Sequence, residues 1–503
     1  MILNLKAVVG TLGALLFFLG GALLLPMFVG LLYGEPSWWS FGVVALIAFA
    51  LGGGSWHVLG GPKGEVDLGV REGFAIVALA WLVLSLFGAL PFVIGGVLDS
   101  YTDAFFETMS GFTTTGATIL GGAGTPAIEA LPKAFLFWRS LAHWLGGMGI
   151  IVLTLAILPI LGVGGMQLFK AEVPGPSADK LTPRVRETAR RLWFIYVGIT
   201  AVEVLLLLPA MSFFDAVNHA FATMATGGFS TRNGSVGDYG SAYVDWVITL
   251  FMFLAGMNFA LHFRLLRGKA ITVFRDAELQ AYAGITLGAT LLITLSLWQP
   301  VTAWLPATGE GGFAGYGSLL EALRYGAFQA VAIITTTGFG TADYELWPPL
   351  AITVLFLLFF VGGMAGSTGG GVKVVRHVLV FKNSFKEIKQ LIHPQAVLPI
   401  RLNGKVVPPD VMGNVLSFIV FYIAALTVGT LLMALLGLDL LSAIGATISS
   451  VGNIGPAFGT LGPTENYAHL PALAKWVLAL LMMAGRLELF TVLILFVPTF
   501  WRR

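Results

Sequence analysis

Four short stretches of this chain carry a glycine approached by hydroxyl-bearing or small residues, and each lies between long apolar runs: "FFETMSGFTTTGAT", "AFATMATGGFST", "AVAIITTTGFGT" and "AIGATISSVGNIG". Aligned on Gly116, Gly228, Gly338 and Gly452, they stand 112, 110 and 114 residues apart. A near-constant period marks an internal repeat. The candidate site residues are Thr114, Thr115 and Gly116; Thr226, Gly227 and Gly228; Thr336, Thr337 and Gly338; and Ser450, Val451 and Gly452. A dehydrated alkali cation needs several uncharged oxygen ligands, and stacked backbone carbonyls can replace its water shell. Glycine lets successive carbonyls point one way because it has no Cβ to forbid the dihedrals. A single copy would read as a polar turn between helices; four copies at constant period favour an ion site.

The elements that must position these residues follow from composition. Over 503 residues the chain is 57% hydrophobic and 11% charged, with a mean hydropathy of +0.87, which excludes an ordinary soluble globular protein. The fold class expected is an all-α polytopic membrane protein. Cysteine is absent, so neither disulfides nor thiolate metal ligation is available. A net charge of +2 gives no case for a nucleic-acid partner. Because a bilayer core needs roughly 20 apolar residues per helix, spans are expected near 5–33, 38–60, 72–98, 134–161, 192–212, 242–265, 278–304, 348–380, 411–437 and 471–499. Placing the N-terminus, 61–72, 163–191, 264–278, 372–410 and the C-terminus on one side collects 22 of the 28 basic residues, and that side is expected to be cytoplasmic. The opposite side keeps Glu35, Asp99, Asp103, Glu129, Asp215, Asp238, Asp343, Asp439 and Glu465, acids that would concentrate cations.

The expected organisation is two N-terminal transmembrane helices over 1–66, then four units of helix, re-entrant pore loop and helix around one central pore. Their ranges are 67–169, 170–268, 269–390 and 391–503. Each short stretch is too brief to cross the bilayer, so it reads as a half-helix going in and a strand coming out. Non-helical backbone at that depth is tolerated only where protein buries it or water touches it. Asp103, Asp215 and Asp439 stand thirteen residues before their aligned glycines, a residue type suited to capping the half-helix. The third unit departs, with Tyr325 there and Glu321 one turn earlier.

"GGMAGSTGGG" (362–371) interrupts a run otherwise long enough to span. Gly costs about 1 kcal/mol relative to Ala in a helix, so Gly362, Gly363, Gly366, Ser367, Thr368, Gly369, Gly370 and Gly371, followed by Lys373, read as an unwound intramembrane gate. Close helix packing of the first glycines is the alternative, and Val372 before Lys373 argues against a phosphate loop.

"DAFFETMSGFTTTGAT", "FATMATGGFST", "ITTTGFGTADY", "WLGGMGIIVL", "GGMAGSTGGGVK" and "GRLELFTVLILFVPTFW" resemble the Trk/Ktr/HKT superfamily of potassium transporters, and the length and two extra helices resemble its TrkH/TrkG branch. The resemblance implies a fourfold pseudosymmetric, K+-selective pore within one chain, a homodimer, and uptake of K+ across a bacterial inner membrane. It further implies regulation by a TrkA-type cytosolic ring that binds NAD(H) or ATP/ADP, with no cofactor on this chain. The matching Arg486 would sit beside the pore and hydrogen-bond loop carbonyls around Gly369 to Gly371, unless Glu488 neutralises it. The basic stretches 170–191 and 381–409 are the expected docking surfaces, or contacts with anionic lipid. A symporter coupling K+ to H+ or Na+ is the alternative function. An enzyme is disfavoured, since no nucleophile motif or metal-ligand spacing is visible. Glu203, mid-span, has no assigned role.

Overall fold

In a computed structural model the described residues are 4–59, 70–149, 185–302 and 313–501. The protein is an all-α polytopic membrane protein, and its one sheet among these residues is a two-stranded hairpin, Arg401–Leu402 with Lys405–Val406. The unit boundaries at 66 and 169 lie outside the described residues; that at 390 falls inside a helix, Val374–Ile392.

Two N-terminal helices, Leu5–Leu32 and Trp38–Leu59, pack as an antiparallel pair through small residues. A Cβ on Gly52 would lie 2.5 Å from Gly13 O, so the backbones touch, the usual means of association where lipid supplies no hydrophobic drive. Each following unit opens with a long helix: Val70–Ile94, Val185–Leu207, Ala277–Leu297 and Pro409–Leu435. A short helix follows each: Tyr101–Phe112, Phe213–Met224, Leu319–Ile334 and Leu440–Gly452.

In three units the second helix breaks partway, and in the first it passes into a π-turn, where three unbroken spans were expected. Lys133–Trp144 runs into a π-turn at Leu145–Gly149, and the rest of the expected 134–161 span lies outside the described residues. Ala242–Ala255 turns by 100° into Phe259–Leu266, and Ala472–Arg486 turns by 114° into Phe490–Phe496. Pro349–Leu358 and Val374–Ile392 are separated by the glycine-rich loop, which is non-helical as expected. Two of these sites have the same packing. A Cβ on Gly146 would lie 1.8 Å from Phe112 O, and one on Gly485 would lie 2.0 Å from Val451 O. Close approach to the end of a short helix thus selects glycine where the second helix bends.

Candidate functional site

All four short helices end alike. The amide of Thr115 bonds Ser110 O (2.9 Å), Gly227 bonds Ala222 O (2.8 Å), Thr337 bonds Ala332 O (2.9 Å) and Ile454 bonds Ser449 O (2.9 Å). This is the six-to-one bond of a Schellman ending, which turns on one left-handed residue. Those residues are Thr114 (φ 53°), Thr226 (φ 55°), Thr336 (φ 58°) and Asn453 (φ 55°). Asn tolerates this region; β-branched Thr does not, and three threonines held there store strain of about 1–3 kcal/mol each, a pattern of functional sites.

Two residues later the backbone turns again at Gly116 (φ 79°), Gly228 (φ 81°), Gly338 (φ 74°) and Gly455 (φ 103°). These four glycines close a ring. A Cβ on Gly116 would lie 2.1 Å from Gly227 O, on Gly228 2.0 Å from Thr337 O, on Gly338 1.9 Å from Ile454 O, and on Gly455 2.7 Å from Thr115 O. Each unit therefore presses its glycine against the carbonyl one residue before the glycine of the next, and the fourth returns to the first.

The ring corrects the fourth site. Ser450, Val451 and Gly452 form the last turn of the short helix, and the residues equivalent to Thr114, Thr115 and Gly116 are Asn453, Ile454 and Gly455. The cause lies at the other end of the helix. Ser100 and Ser212 are the N-caps of the first two, accepting from Asp103 N (3.3 Å) and Asp215 N (3.1 Å). Asp103 and Asp215 are therefore in the first turn, as in a capping box. Asp439 is itself the cap, accepting from Leu441 N and Ser442 N. Matching three aspartates that occupy two different positions displaced the register by three residues. The third helix, capped at Ser318, is one turn longer, with Glu321 in its first turn.

Side chains brace the ring from behind. Thr115 Oγ1 bonds Thr113 Oγ1 (2.8 Å) and accepts from Asn453 Nδ2 (3.0 Å), whose other contact is Met482 O (2.9 Å). Thr337 Oγ1 bonds Thr335 Oγ1 (2.8 Å), and Thr226 Oγ1 bonds Ala225 O (2.6 Å). These three hydroxyls are engaged with protein, whereas Thr114 Oγ1 is buried without a partner; the oxygens that recur at all four corners are backbone carbonyls. Sequence reasoning missed three supports. Glu107 and Arg139, side chains 0–1% exposed, pair at 2.8 Å, and both bond Thr118 on the strand after Gly116. His143 bonds Gly111 O (2.7 Å) and accepts from Phe229 N (3.2 Å), tying the first unit to the second strand. Tyr467 and Ser449 hydroxyls both donate to Gly455 O at 2.8 Å. An acid in a short helix 32 residues before an intramembrane Arg was the available signal for the first of these.

Beyond the ring the strands are laced in the same cyclic order. Ile128 N bonds Asn233 Oδ1 (3.1 Å), Gly237 N bonds Gly340 O (3.0 Å), Gly459 N bonds Glu345 Oε1 (2.7 Å) and Tyr467 N bonds Thr118 O (2.9 Å). Several acids expected to gather cations are tied here: Glu129 accepts from Asn233 N, Asp238 from Gly234 N, and Asp103 pairs with Lys475 (2.6 Å). At Glu345, outside the spans, burial pushes the carboxyl above its ordinary range, against the downward pull of the Gly459 amide.

The glycine-rich loop lies against the C-terminal ends of the short helices. Thr368 Oγ1 donates to Met224 O (3.0 Å) and Ala255 O (3.2 Å), and Gly370 N donates to Thr336 Oγ1 (2.6 Å). A Cβ on Gly370 would lie 2.4 Å from Gly452 O. Arg486 donates to Thr368 O (2.7 Å), Gly146 O (2.9 Å) and Gly147 O (3.3 Å). Its contact with the loop at Thr368 O adjoins the expected Gly369 to Gly371, and Lys373 Nζ donates to Gly369 O. Glu488 pairs with Arg376 instead; it lies past the helix end, in the turn before Phe490, on left-handed backbone (φ 56°).

A family model described as "Cation transport protein", TrkH, matches residues 42–503. The chain is 42% identical over 504 residues to the "Trk system potassium uptake protein TrkH" of Salmonella typhimurium strain LT2, covering 99% of this chain and 100% of that one. It is 36% identical over 495 residues to the "Trk system potassium uptake protein TrkG" of Escherichia coli strain K12, with 97% of each covered. The crystal structure of the potassium transporter TrkH from Vibrio parahaemolyticus matches with a TM-score of 0.85 at 36% identity, over 99% of this chain and 100% of that one. With a family model over most of its length and relatives that are transporters rather than enzymes, the chain belongs to the TrkH family of cation transport proteins.

Proposed function

We propose that the protein takes up K+ through a gated, K+-selective pore lined by four re-entrant segments, in a bacterial inner membrane with both termini cytoplasmic. The observation that carries this reading is the ring in which Thr115, Gly227, Thr337 and Ile454 present carbonyls against the glycines of their neighbours. Four strands of one geometry around one axis supply the repeated oxygen shells that a dehydrated cation needs. The filter residues on this reading are Thr114 to Gly116, Thr226 to Gly228, Thr336 to Gly338 and Asn453 to Gly455. The loop 362–371 is the gate beneath them, and Arg486 places a fixed positive charge where a cation would pass and holds Thr368 in place. The relatives, named as potassium uptake proteins, support K+ as the cargo. A homodimer and a TrkA-type cytosolic ring binding NAD(H) or ATP/ADP complete the proposal. The ring would dock on the basic surface 381–409 and on 170–191, of which 170–184 lie outside the described residues.

One observation favours a second reading, K+ symport with H+. Glu203 is fully buried in the first helix of the second unit, beside the Thr223 hydroxyl, and neither carboxylate oxygen makes a hydrogen bond of full geometry. Reversal potential in proteoliposomes under K+ and Na+ gradients separates the two. A value that follows the K+ gradient at every pH supports the channel; one that moves with the proton or Na+ gradient overturns it in favour of coupling.

A further inference from the structure

The glycine-rich loop is anchored by a residue of another helix. Glu278 stands in the first turn of Ala277–Leu297 and is 7% exposed. Its Oε1 accepts from Ala365 N (2.7 Å) and Val375 N (3.1 Å). Ala365 lies within the loop, and Val375 is in the first turn of the helix that leaves it, where amides have no partner of their own. One carboxylate thus holds the middle of the loop and its exit.

The same first turn is gripped from outside the spans. Asp276 caps it, accepting from Glu278 N (3.0 Å) and Leu279 N (3.1 Å). Asn403, at the tip of the hairpin, donates through Nδ2 to Asp276 Oδ2 (2.8 Å) and accepts at Oδ1 from Ala277 N (2.8 Å). Asn403 (φ 49°) and Gly404 (φ 78°) are both left-handed, the two-residue turn that Asn-Gly favours. The tip is therefore preformed, with an exposed asparagine placed to clamp a helix start.

We infer that Glu278 is the positioning residue of the loop and that the 401–406 hairpin is a latch which sets Glu278, so that a load on the hairpin is transmitted to the loop. A rigid first turn with partners on both sides moves as one body. The route is hairpin tip, Asp276 and Ala277, Glu278, then Ala365 and Val375. The inference rests on the reading of loop 362–371 as the gate only for its consequence in flux; the anchoring itself is a separate matter.

The chain lacks cysteine, so Ser367→Cys gives a background-free reporter on the loop. Its reaction rate with a water-soluble maleimide and Rb+ flux are measured together in proteoliposomes, in the Ser367→Cys chain alone and with Glu278→Ala, Glu278→Gln or Asn403→Ala added. Glu278→Ala removes the acceptor of two amides, so labelling is expected to rise about tenfold or more. Glu278→Gln, which keeps one acceptor oxygen, should rise less, and Asn403→Ala, an exposed change that leaves the fold intact, should rise measurably. Labelling and flux that rise together support the latch and the gate. Labelling that rises at constant flux supports the latch and removes the gate reading. Labelling unchanged in both Glu278→Ala and Asn403→Ala overturns the inference, whatever the flux does.

Discussion

Gly338 and Ile454 meet across the junction of the third and fourth units as Gly116 and Gly227 meet across the first and second: the glycine has no room for a Cβ because the neighbour's carbonyl oxygen occupies its place. That equivalence makes Gly455, not Gly452, the fourth member of the ring. Gly455→Ser should therefore shift the K+/Na+ reversal potential toward Na+, because a side chain at φ 103° must displace Thr115 O or its own strand. Gly452→Ala, where the added Cβ meets the flexible Ile454 side chain at 3.0 Å and Tyr422 Oη at 3.7 Å, should leave the potential within error of wild type. The opposite ranking would restore the earlier register.

Arg486 ties the glycine-rich loop to the break in the first unit. Arg486→Ala removes its bonds to Thr368 O, Gly146 O and Gly147 O, and basal Rb+ flux without any partner should rise several-fold. Arg486→Lys keeps the charge but not the planar fork, so an intermediate flux is expected. A wild-type flux in both variants would remove Arg486 from the gate.

The Glu107–Arg139 pair is a matter of stability first. Glu107→Gln leaves an uncompensated guanidinium, a loss of about 3–5 kcal/mol for a buried pair, and the melting temperature in detergent should fall clearly. The double variant Glu107→Gln with Arg139→Met should recover part of the loss, because no buried charge remains. Additive losses would mean that the two residues act separately.

Glu345 makes a pH-dependent contribution outside the spans. Its carboxyl is raised by burial, so the folded state binds its proton more tightly than the unfolded chain does. Ionisation therefore costs stability above that raised value, and the cost disappears in acid below the ordinary carboxylate range. Glu345→Gln, which keeps an acceptor for Gly459 N, should raise the melting temperature at pH 7 and leave it unchanged at about pH 4. A loss at pH 7 would mean that the charge on the Gly459 bond outweighs burial.

The long helices were legible in the sequence because an apolar run of bilayer length has few alternatives. The first three sites were legible because Thr-Thr-Gly and Thr-Gly-Gly recur at constant period. The fourth was misplaced because a Ser cap with Asp in the first turn and an Asp cap look alike when only the aspartates are aligned. The bends at Gly256 and after Gly485 were not legible: each rests on a contact with a short helix more than thirty residues away or with another unit, and hydropathy carries no trace of it. The loop was legible for the opposite reason, since six glycines in ten residues leave no helix to argue for. Glu278 was hidden because its partners are backbone amides, which no side-chain pattern announces.

The four corners of the ring carry three different triplets, Thr-Thr-Gly at the first and third, Thr-Gly-Gly at the second and Asn-Ile-Gly at the fourth, on one backbone geometry. In a ring of four identical chains, every substitution is repeated fourfold. Here a change touches one quarter of the circumference, so the ring can be altered one corner at a time, and each corner can take the anchoring that its own neighbours demand. The amide of Asn453 reaching Thr115 in the adjacent corner is one such private arrangement, open to a covalently joined ring and closed to a symmetric one.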